Sequence, residues 1–208
     1  MIVFFSSYVP RLVSRFISFA VWRSDATERV IHLTFDDGPS ATETVRILDT
    51  LDRHGARATF FLLGTNAMQH PELVREIVRR GHGIGGHGHA HLDPWRSRAA
   101  DVVHDFETGC GILEEITGAH VRLIRPPYGR LRPCLMQWAR ATGRMPVMWD
   151  VMPGDYLPRI SPTRIRRAVE RMIRPGSIVV LHDNPSVAPV TAEALDQLLP
   201  VLRRSGWA

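Results

Sequence analysis

The sequence contains no lysine, and all 26 of its basic residues are arginine. This absence excludes reactions that need an ε-amino group, such as Schiff-base formation and the lysine-dependent phosphate binding of P-loops and kinases. The arginines are spread along the chain among 21 acidic residues, and the formal net charge is +5. This pattern indicates a solvated basic surface, so we expect no specific nucleic-acid binding.

Cysteine and long apolar runs are also scarce. Cys110 and Cys134 are the only two cysteines and form no CxxC pair, which excludes zinc-ribbon and thioredoxin-like motifs. A disulfide between them is compatible with the sequence but is not indicated by it. The apolar N-terminus is interrupted by Pro10, Arg11 and Arg15. It therefore predicts neither a membrane span nor a clear signal peptide, and it leaves the localisation open, with the cytoplasm and the periphery of a membrane both compatible with the sequence.

The apolar positions of residues 10–22 predict an amphipathic helix. Packing of this helix on the rest of the protein is the favoured interpretation, and contact with a membrane surface is the alternative. We therefore divide the chain into an N-terminal segment, 1–28, and one globular domain, 29–208. At 208 residues, without internal repeats or linkers, the chain fits a single domain with a substantial core.

Short apolar runs alternate with amphipathic segments through the domain. The predicted strands span 30–35, 58–63, 83–86, 121–124, 146–151 and 177–181, and the predicted helices span 42–54, 71–80, 97–117, 131–142, 162–173 and 191–204. This alternation favours an α/β fold in which helices cover a parallel sheet.

Polar residues follow almost every predicted strand. Asp36 and Asp37 follow the first strand, His87 and His91 the third, Arg125 the fourth, Asp150 or Asp155 the fifth, and His182 the sixth. Because the carboxyl ends of parallel strands meet at one rim, we expect these side chains to gather there.

The histidines suggest a metal site. On a helical turn, His87 and His91 would share one face, since they are four residues apart. Two imidazoles and a carboxylate from a neighbouring strand make a three-ligand site with an open position, which is typical of catalytic zinc. The alternative interpretation is a His-rich surface loop.

Two adjacent carboxylates allow one to bind metal while the other accepts a proton. Arg125 would hold the basic carboxylate ionised, and a histidine on the opposite side would protonate the leaving group. Asp183, beside His182, is interpreted as a simple turn residue.

These residues form five short motifs in order: 34–39 (TFDDGP), 87–91 (HGHAH), 125–129 (RPPYG), 149–156 (WDVMPGDY) and 181–183 (LHD). In this arrangement the chain resembles the polysaccharide deacetylase family, carbohydrate esterase family 4, also called the NodB-homology domain. The resemblance covers about residues 30–205. It implies a distorted (β/α) barrel of about seven parallel strands. Because the chain ends at Trp207-Ala208, where the family adds a closing strand, either the barrel is open there or another segment covers the gap.

The resemblance also implies a role for each motif residue. Asp37, His87 and His91 would bind a divalent metal, most often Zn²⁺, with Co²⁺ or another ion as the alternative. Asp36 would be the general base, Arg125 would brace it, and His182 would be the general acid, oriented by Asp155. The Tyr128 backbone N–H would hold the oxyanion, and Pro127, Tyr156 and Leu181 would line the substrate pocket.

The implied activity is metal-dependent removal of N-acetyl groups from amino sugars of a chitooligosaccharide- or peptidoglycan-like glycan. Two alternatives stay open: an O-acetyl esterase acting on a glycan such as xylan, and an inactive relative that only binds glycan. The chain departs from the family pattern at Gly86 and Gly88, where Asn and Ser or Thr are usual, and this predicts a less rigid metal loop. It also departs at Tyr156, where Trp is usual, so Trp149-Asp150 competes with Asp155-Tyr156 as the functional part of the fourth motif.

Overall fold

The computed structural model describes residues 19–185 and 190–208. Its strands are β1 His32–Asp36, β2 Ala58–Leu62, β3 Gly83–Gly86, β4 Leu123–Ile124, β5 Met145–Pro146 and β6 Ile178–His182. They pair in parallel in the order β5-β4-β3-β2-β1-β6. The sheet curls into an open half-barrel, which confirms the predicted α/β class and distorted barrel. The described part has six strands rather than about seven.

Seven helices accompany these strands in the described ranges. They are α1 Glu43–Arg53, α2 Gly64–Gln69, α3 Pro71–Arg79, α4 Ala99–Thr117, α5 Pro133–Ala141, α6 Pro162–Met172 and α7 Val190–Arg204, and Pro127–Gly129 forms a 3₁₀ turn. The sequence analysis missed α2, because a six-residue helix containing Gly, Thr and Asn has little helix propensity of its own.

The central strands β1 and β2 are buried along most of their length, and their apolar residues pack in the core. Phe35 of β1 and Phe60 of β2 are paired in register, and their rings stack with centroids 5.0 Å apart. Proline at the first position of α3, α5 and α6 suits a helix start, where a backbone N–H would have no helical partner. Gly118 ends α4 in the left-handed conformation. The buried sheet therefore gives the residues at its carboxyl edge a rigid base.

The fifth predicted strand, 146–151, is too long. The ladder ends at Pro146 because Val147 and Val151 bridge to different partners, Val147 to Val21 and Val151 to Val179 of β6. These single bridges lie across the opening between β5 and β6. Of the two expectations for the barrel gap, the open half-barrel agrees with the first, a barrel that is left open.

Most of the helix predicted for residues 10–22 lies outside the described residues. Its described end is not helical, since Val21 forms a bridge and hydrogen-bonds the backbone on both sides of Val147. Phe19 packs against the core and Ala20 is buried. Within 19–185 and 190–208, the helices are too short or too polar to cross a membrane.

Candidate metal centre and active site

The carboxyl ends of the strands bring the motif residues together around one cavity of about 400 Å³. Asp36, at the end of β1, is paired in register with His182, at the end of β6. His87 follows β3 directly, and its backbone N–H donates to the carbonyl of Leu62 at the end of β2. Asp36, Asp37, His87, His91 and His182 all line the cavity, as the strand-end argument predicted.

Asp37, His87 and His91 form a three-residue cluster suited to a metal ion. Asp37 Oδ1 lies 3.4 Å from His87 Nε2 and 3.3 Å from His91 Nε2. The candidate ligand atoms all lie within 4.8 Å of one another. Asp37 Oδ1 is buried without a hydrogen-bond partner among the described residues. A buried oxygen without a donor, facing two imidazoles, fits a divalent cation held by three protein ligands.

Outer contacts orient this cluster. His87 Nδ1 lies 2.7 Å from the Arg125 carbonyl, which leaves Nε2 directed at Asp37. Asn184 Nδ2 donates to Asp37 Oδ2 at 2.8 Å. Burial by itself raises the pKa of Asp37. The facing imidazoles of His87 and His91 lower it by more than burial raises it, so the pKa lies well below the ordinary range of a carboxyl group. The carboxylate is therefore ionised, as a metal ligand must be.

The loop carrying the two histidines is not the helical turn that their spacing suggested. Gly88 has a φ of +85° and His91 a φ of +54°, so the chain turns through left-handed positions. The two imidazole centroids are nevertheless 5.2 Å apart. The rings meet because the loop folds back, and the i, i+4 face argument was wrong in its geometry.

Asp105, on α4, holds this loop and was missed by the sequence analysis. Its carboxylate accepts the backbone N–H of His89 at 3.0 Å and that of Ala90 at 2.8 Å. A Cβ on Gly88 would lie 2.3 Å from Asp105 Oδ2. Glycine at 88 therefore lets the carboxylate approach, and these contacts hold the loop that the sequence analysis expected to be less rigid.

Asp36 is held by Arg125, whose side chain is fully buried. Arg125 Nη1 donates to Asp36 Oδ1 and to Thr34 Oγ1, both at 2.7 Å. Its other donors bond the carbonyls of Val147 and Met148 at 3.0 and 2.9 Å. The guanidinium thus fixes one oxygen of Asp36 and leaves Oδ2, which lies 4.0 Å from His87 Nε2, on the side of the metal cluster.

His182 is oriented by Asp155. Its Nδ1 lies 3.0 Å from Asp155 Oδ1, and its backbone N–H donates to Asp155 Oδ2 at 2.7 Å. Burial lowers the pKa of His182, but the charge and hydrogen bond of Asp155 raise it, to about 9. Asp150 instead contacts Arg174, Ser177 and the backbone N–H of Ile178. Of the two carboxylates left open by the sequence, Asp155 is the one in contact with His182.

The predicted substrate residues are divided between the cavity and the core. Tyr128 and Tyr156 line the cavity, and the Tyr156 ring lies 5.5 Å from that of His182. Leu181 belongs to the hydrophobic core, and the lining side chains from β6 are those of Val180 and His182. Leu181 faces away because alternate residues of a strand point to opposite faces.

The third motif contributes Pro126, Tyr128 and Gly129 to the cavity lining, and Pro127 is buried beside them. Tyr128 has a φ of +59°, and its ring contacts that of His91 at 4.7 Å. Trp149 also lines the cavity, although the sequence analysis considered it only as the neighbour of Asp150. Trp149 and Tyr156, at the two ends of the fourth motif, therefore both contribute aromatic rings to the cavity wall.

Asp183 is not the simple turn residue expected from the sequence. Its carboxylate is fully buried, accepts a hydrogen bond from Thr44 Oγ1 at 2.6 Å, and packs against Gly38, where a Cβ would lie 2.1 Å from Oδ2. Burial raises its pKa to about 7, reinforced by the charges of Asp37 and Asp36 and opposed by the Thr44 hydrogen bond. Asp183 thus supports the turn that follows Asp36 and Asp37.

Comparison with known proteins gives consistent matches. The family model described as polysaccharide deacetylase matches residues 23–147. A peptidoglycan-N-acetylglucosamine deacetylase from Bacillus cereus is 34% identical over 177 residues, covering 85% of this chain and 64% of the relative. A chitooligosaccharide deacetylase from a Bradyrhizobium species is 35% identical over 191 residues, covering 86% of this chain and 87% of the relative. The chain thus spans just under two thirds of the first relative and most of the second.

A solved structure agrees with these matches. The crystal structure of the Bc1960 peptidoglycan N-acetylglucosamine deacetylase superposes with a TM-score of 0.88 at 31% identity, covering 93% of this chain and 91% of that one. The family match spans more than half of the chain, and the Asp-His-His cluster occupies the carboxyl edge of the barrel. The chain therefore belongs to the polysaccharide deacetylase family, carbohydrate esterase family 4.

Proposed function

We propose that the protein is a zinc-dependent hydrolase that removes N-acetyl groups from amino-sugar residues of a glycan and releases acetate. The observation that carries this proposal is the meeting of the Asp37-His87-His91 cluster with Asp36 and His182 around one cavity. The relatives named as peptidoglycan and chitooligosaccharide deacetylases support the same substrate class.

Asp37, His87 and His91 would hold the metal ion. When bound, a divalent ion of this kind polarises a carbonyl and makes water more acidic. Histidine and carboxylate ligands in a three-residue set favour zinc, and Co²⁺ suits the same donors.

Asp36 would act as the general base. Arg125 occupies its Oδ1, so Oδ2 is the atom that accepts a proton from the attacking water. Because Arg125 is fixed by two backbone carbonyls as well, the base is held in place before substrate arrives.

His182 would act as the general acid. Asp155 engages Nδ1, so Nε2 remains to donate a proton to the nitrogen of the scissile amide. A pKa of about 9 keeps the imidazole protonated at neutral pH. The backbone N–H of Tyr128, at the cavity rim, would donate to the oxyanion as the amide carbonyl becomes tetrahedral. Proton abstraction by Asp36 and proton donation by His182 then release acetate and a free amino sugar.

The test is acetate release from N-acetylglucosamine oligomers by the wild type, with and without chelator, and by Asp36→Asn. Loss of a general base typically costs about 10²–10⁴-fold, so we expect a drop in kcat of that size while zinc binding persists. Wild-type turnover that survives complete removal of metal, or near-normal turnover by Asp36→Asn, would contradict the proposal. Acetylated xylan serves as a parallel substrate, and faster release from it would favour the O-acetyl esterase alternative.

A further inference from the structure

Trp95 is the most exposed of the large apolar side chains in the described part of the chain, with 66% of its surface accessible. Trp95 lies four residues after His91, a residue of the candidate metal site. A single exposed apolar side chain is common on protein surfaces, so its fixed position and its neighbours decide whether it marks a binding surface.

The indole is nevertheless fixed. Its Nε1–H donates to the carbonyl of Leu131 at 3.1 Å, and its backbone N–H donates to Asp93 Oδ1 at 3.0 Å. Arg132 bonds the carbonyls of Pro94 and Ser97 on either side of it. A ring held from both its backbone and its edge loses little conformational entropy when a ligand packs on its face.

Arg130 connects this ring to the active site. Its guanidinium lies 5.1 Å from the ring centroid of Trp95 and 5.2 Å from that of Tyr128. Tyr128 lines the cavity, and its ring contacts His91 at 4.7 Å. We call Trp95, Arg130 and Tyr128 the rim platform; it is a continuous surface that begins at the metal cluster and ends at an exposed indole.

The charge on the rim platform is balanced. Arg130 forms an ion pair with Asp93, so its positive charge already has a partner within the loop. An anionic ligand is therefore attracted only weakly by Arg130, whereas an uncharged sugar ring can stack on the aromatic face of Trp95. The C–H groups on the face of a pyranose ring pack well on an indole, and indole and phenol rings supply large rigid contact areas.

The cavity itself, at about 400 Å³, lies at the small end of the range for ligand sites and suits one reacting sugar with its acetamido group. A longer glycan must continue over the rim. We propose that the rim platform is a glycan subsite, in which Trp95 stacks on an uncharged pyranose ring outside the cavity, beyond the sugar that is deacetylated. This inference rests on the proposed function for the reacting sugar and adds a preference for oligomers over the monosaccharide.

The test compares the kinetics of acetate release from chitopentaose and from the monosaccharide N-acetylglucosamine, which has no ring beyond the reacting sugar. For Trp95→Ala we expect KM for the pentamer to rise about tenfold with kcat little changed, and KM for the monosaccharide to change less than twofold. Trp95→Phe retains an aromatic face without the indole N–H and should recover most of the pentamer KM. Trp207→Ala is the matched control, since Trp207 also lies under an arginine, Arg29, but outside the cavity lining; both of its KM values should stay unchanged.

Pentamer binding is also measured by calorimetry, independently of turnover, and thermal melting confirms that each variant is folded. An unchanged pentamer KM in folded Trp95→Ala overturns the inference, and so does an equal rise for pentamer and monosaccharide, which would indicate a displaced loop. If the wild type releases no acetate but binds the pentamer in a Trp95-dependent way, the subsite stands and the proposed hydrolysis fails. Absence of both binding and release overturns both.

Discussion

Replacing Asp155 by Asn should shift the pH dependence of the reaction, because Asp155 contacts the proposed general acid His182. Asp155 is the only carboxylate in direct contact with the His182 imidazole among the described residues, with 3.0 Å between Oδ1 and Nδ1. The substitution removes the charge but keeps the size of the side chain. The protein should therefore retain the position of His182 while losing the interaction that keeps it protonated.

The size of the shift follows from the pKa of His182. Burial lowers this pKa, and Asp155 is the main opposing influence that brings it to about 9. Without that charge it should fall toward the ordinary 6.5. At pH 8 the protonated fraction would then drop from about nine tenths to a few per cent, so kcat/KM should fall about 30-fold. At pH 6 the acid form still predominates, and the loss should be less than about twofold.

The assay is the pH profile of kcat/KM for acetate release between pH 5 and pH 10. Activity that depends on the acid form of His182 is lost as the pH rises through its pKa, so the alkaline limb of the Asp155→Asn profile should move to lower pH. Asp150→Asn is the matched control: it removes a buried carboxylate from the same motif that contacts Arg174 and Ser177 instead of His182. Its alkaline limb should stay where the wild-type limb lies.

Two outcomes would refute this reasoning. An alkaline limb in Asp155→Asn that coincides with the wild type would show that Asp155 does not set the protonation of His182. A shift of equal size in Asp150→Asn would assign the effect to a general change in the motif rather than to the contact between Asp155 and His182.

The remaining predictions concern stability and the metal loop. Arg125→Met should lower the free energy of unfolding by about 3–5 kcal/mol in urea titrations, because it leaves the buried carboxylate of Asp36 unpaired. Adding Asp36→Asn should recover part of that loss. A cost below about 1 kcal/mol for Arg125→Met would contradict a stabilising pair between Arg125 and Asp36. Gly88→Ala should cost at least about 1 kcal/mol and weaken zinc binding, because position 88 has a φ of +85° and faces Asp105. The control is Gly111→Ala on the open face of α4, which should be neutral or stabilising in thermal denaturation, and equal effects at the two glycines would argue against the loop contact.

The fold and the identity of the main site residues could be predicted from the sequence because both are encoded locally. Continuous apolar runs marked the buried strands, and acids or histidines directly after them marked the carboxyl edge. The order of the five motifs then identified the family. Boundaries were accurate where a proline began a helix or a glycine ended one, as at Pro71 and Gly118.

Contacts distant in the sequence could not be predicted in the same way. Asp105 lies on a helix 16 residues after His89 and carries no motif, yet it holds the metal loop. The fifth strand was predicted too long, because its residues bridge to two different neighbours rather than to one. Asn184 contacts Asp37 across 147 residues, and only its place directly after the last motif could have signalled it.

The chemical groups at the strand ends follow directly from the amino-acid sequence: carboxylates, imidazoles and a guanidinium, without any lysine amine. Which of these groups contact one another depends on the fold, since the curl of the sheet brings Arg125 to Asp36 and Asp155 to His182 across 89 and 27 residues. Local sequence fixes the direction of a strand and the residue at its end. Which of two neighbouring carboxylates faces a histidine depends on packing between elements far apart in the chain, and that is a property of the folded molecule alone.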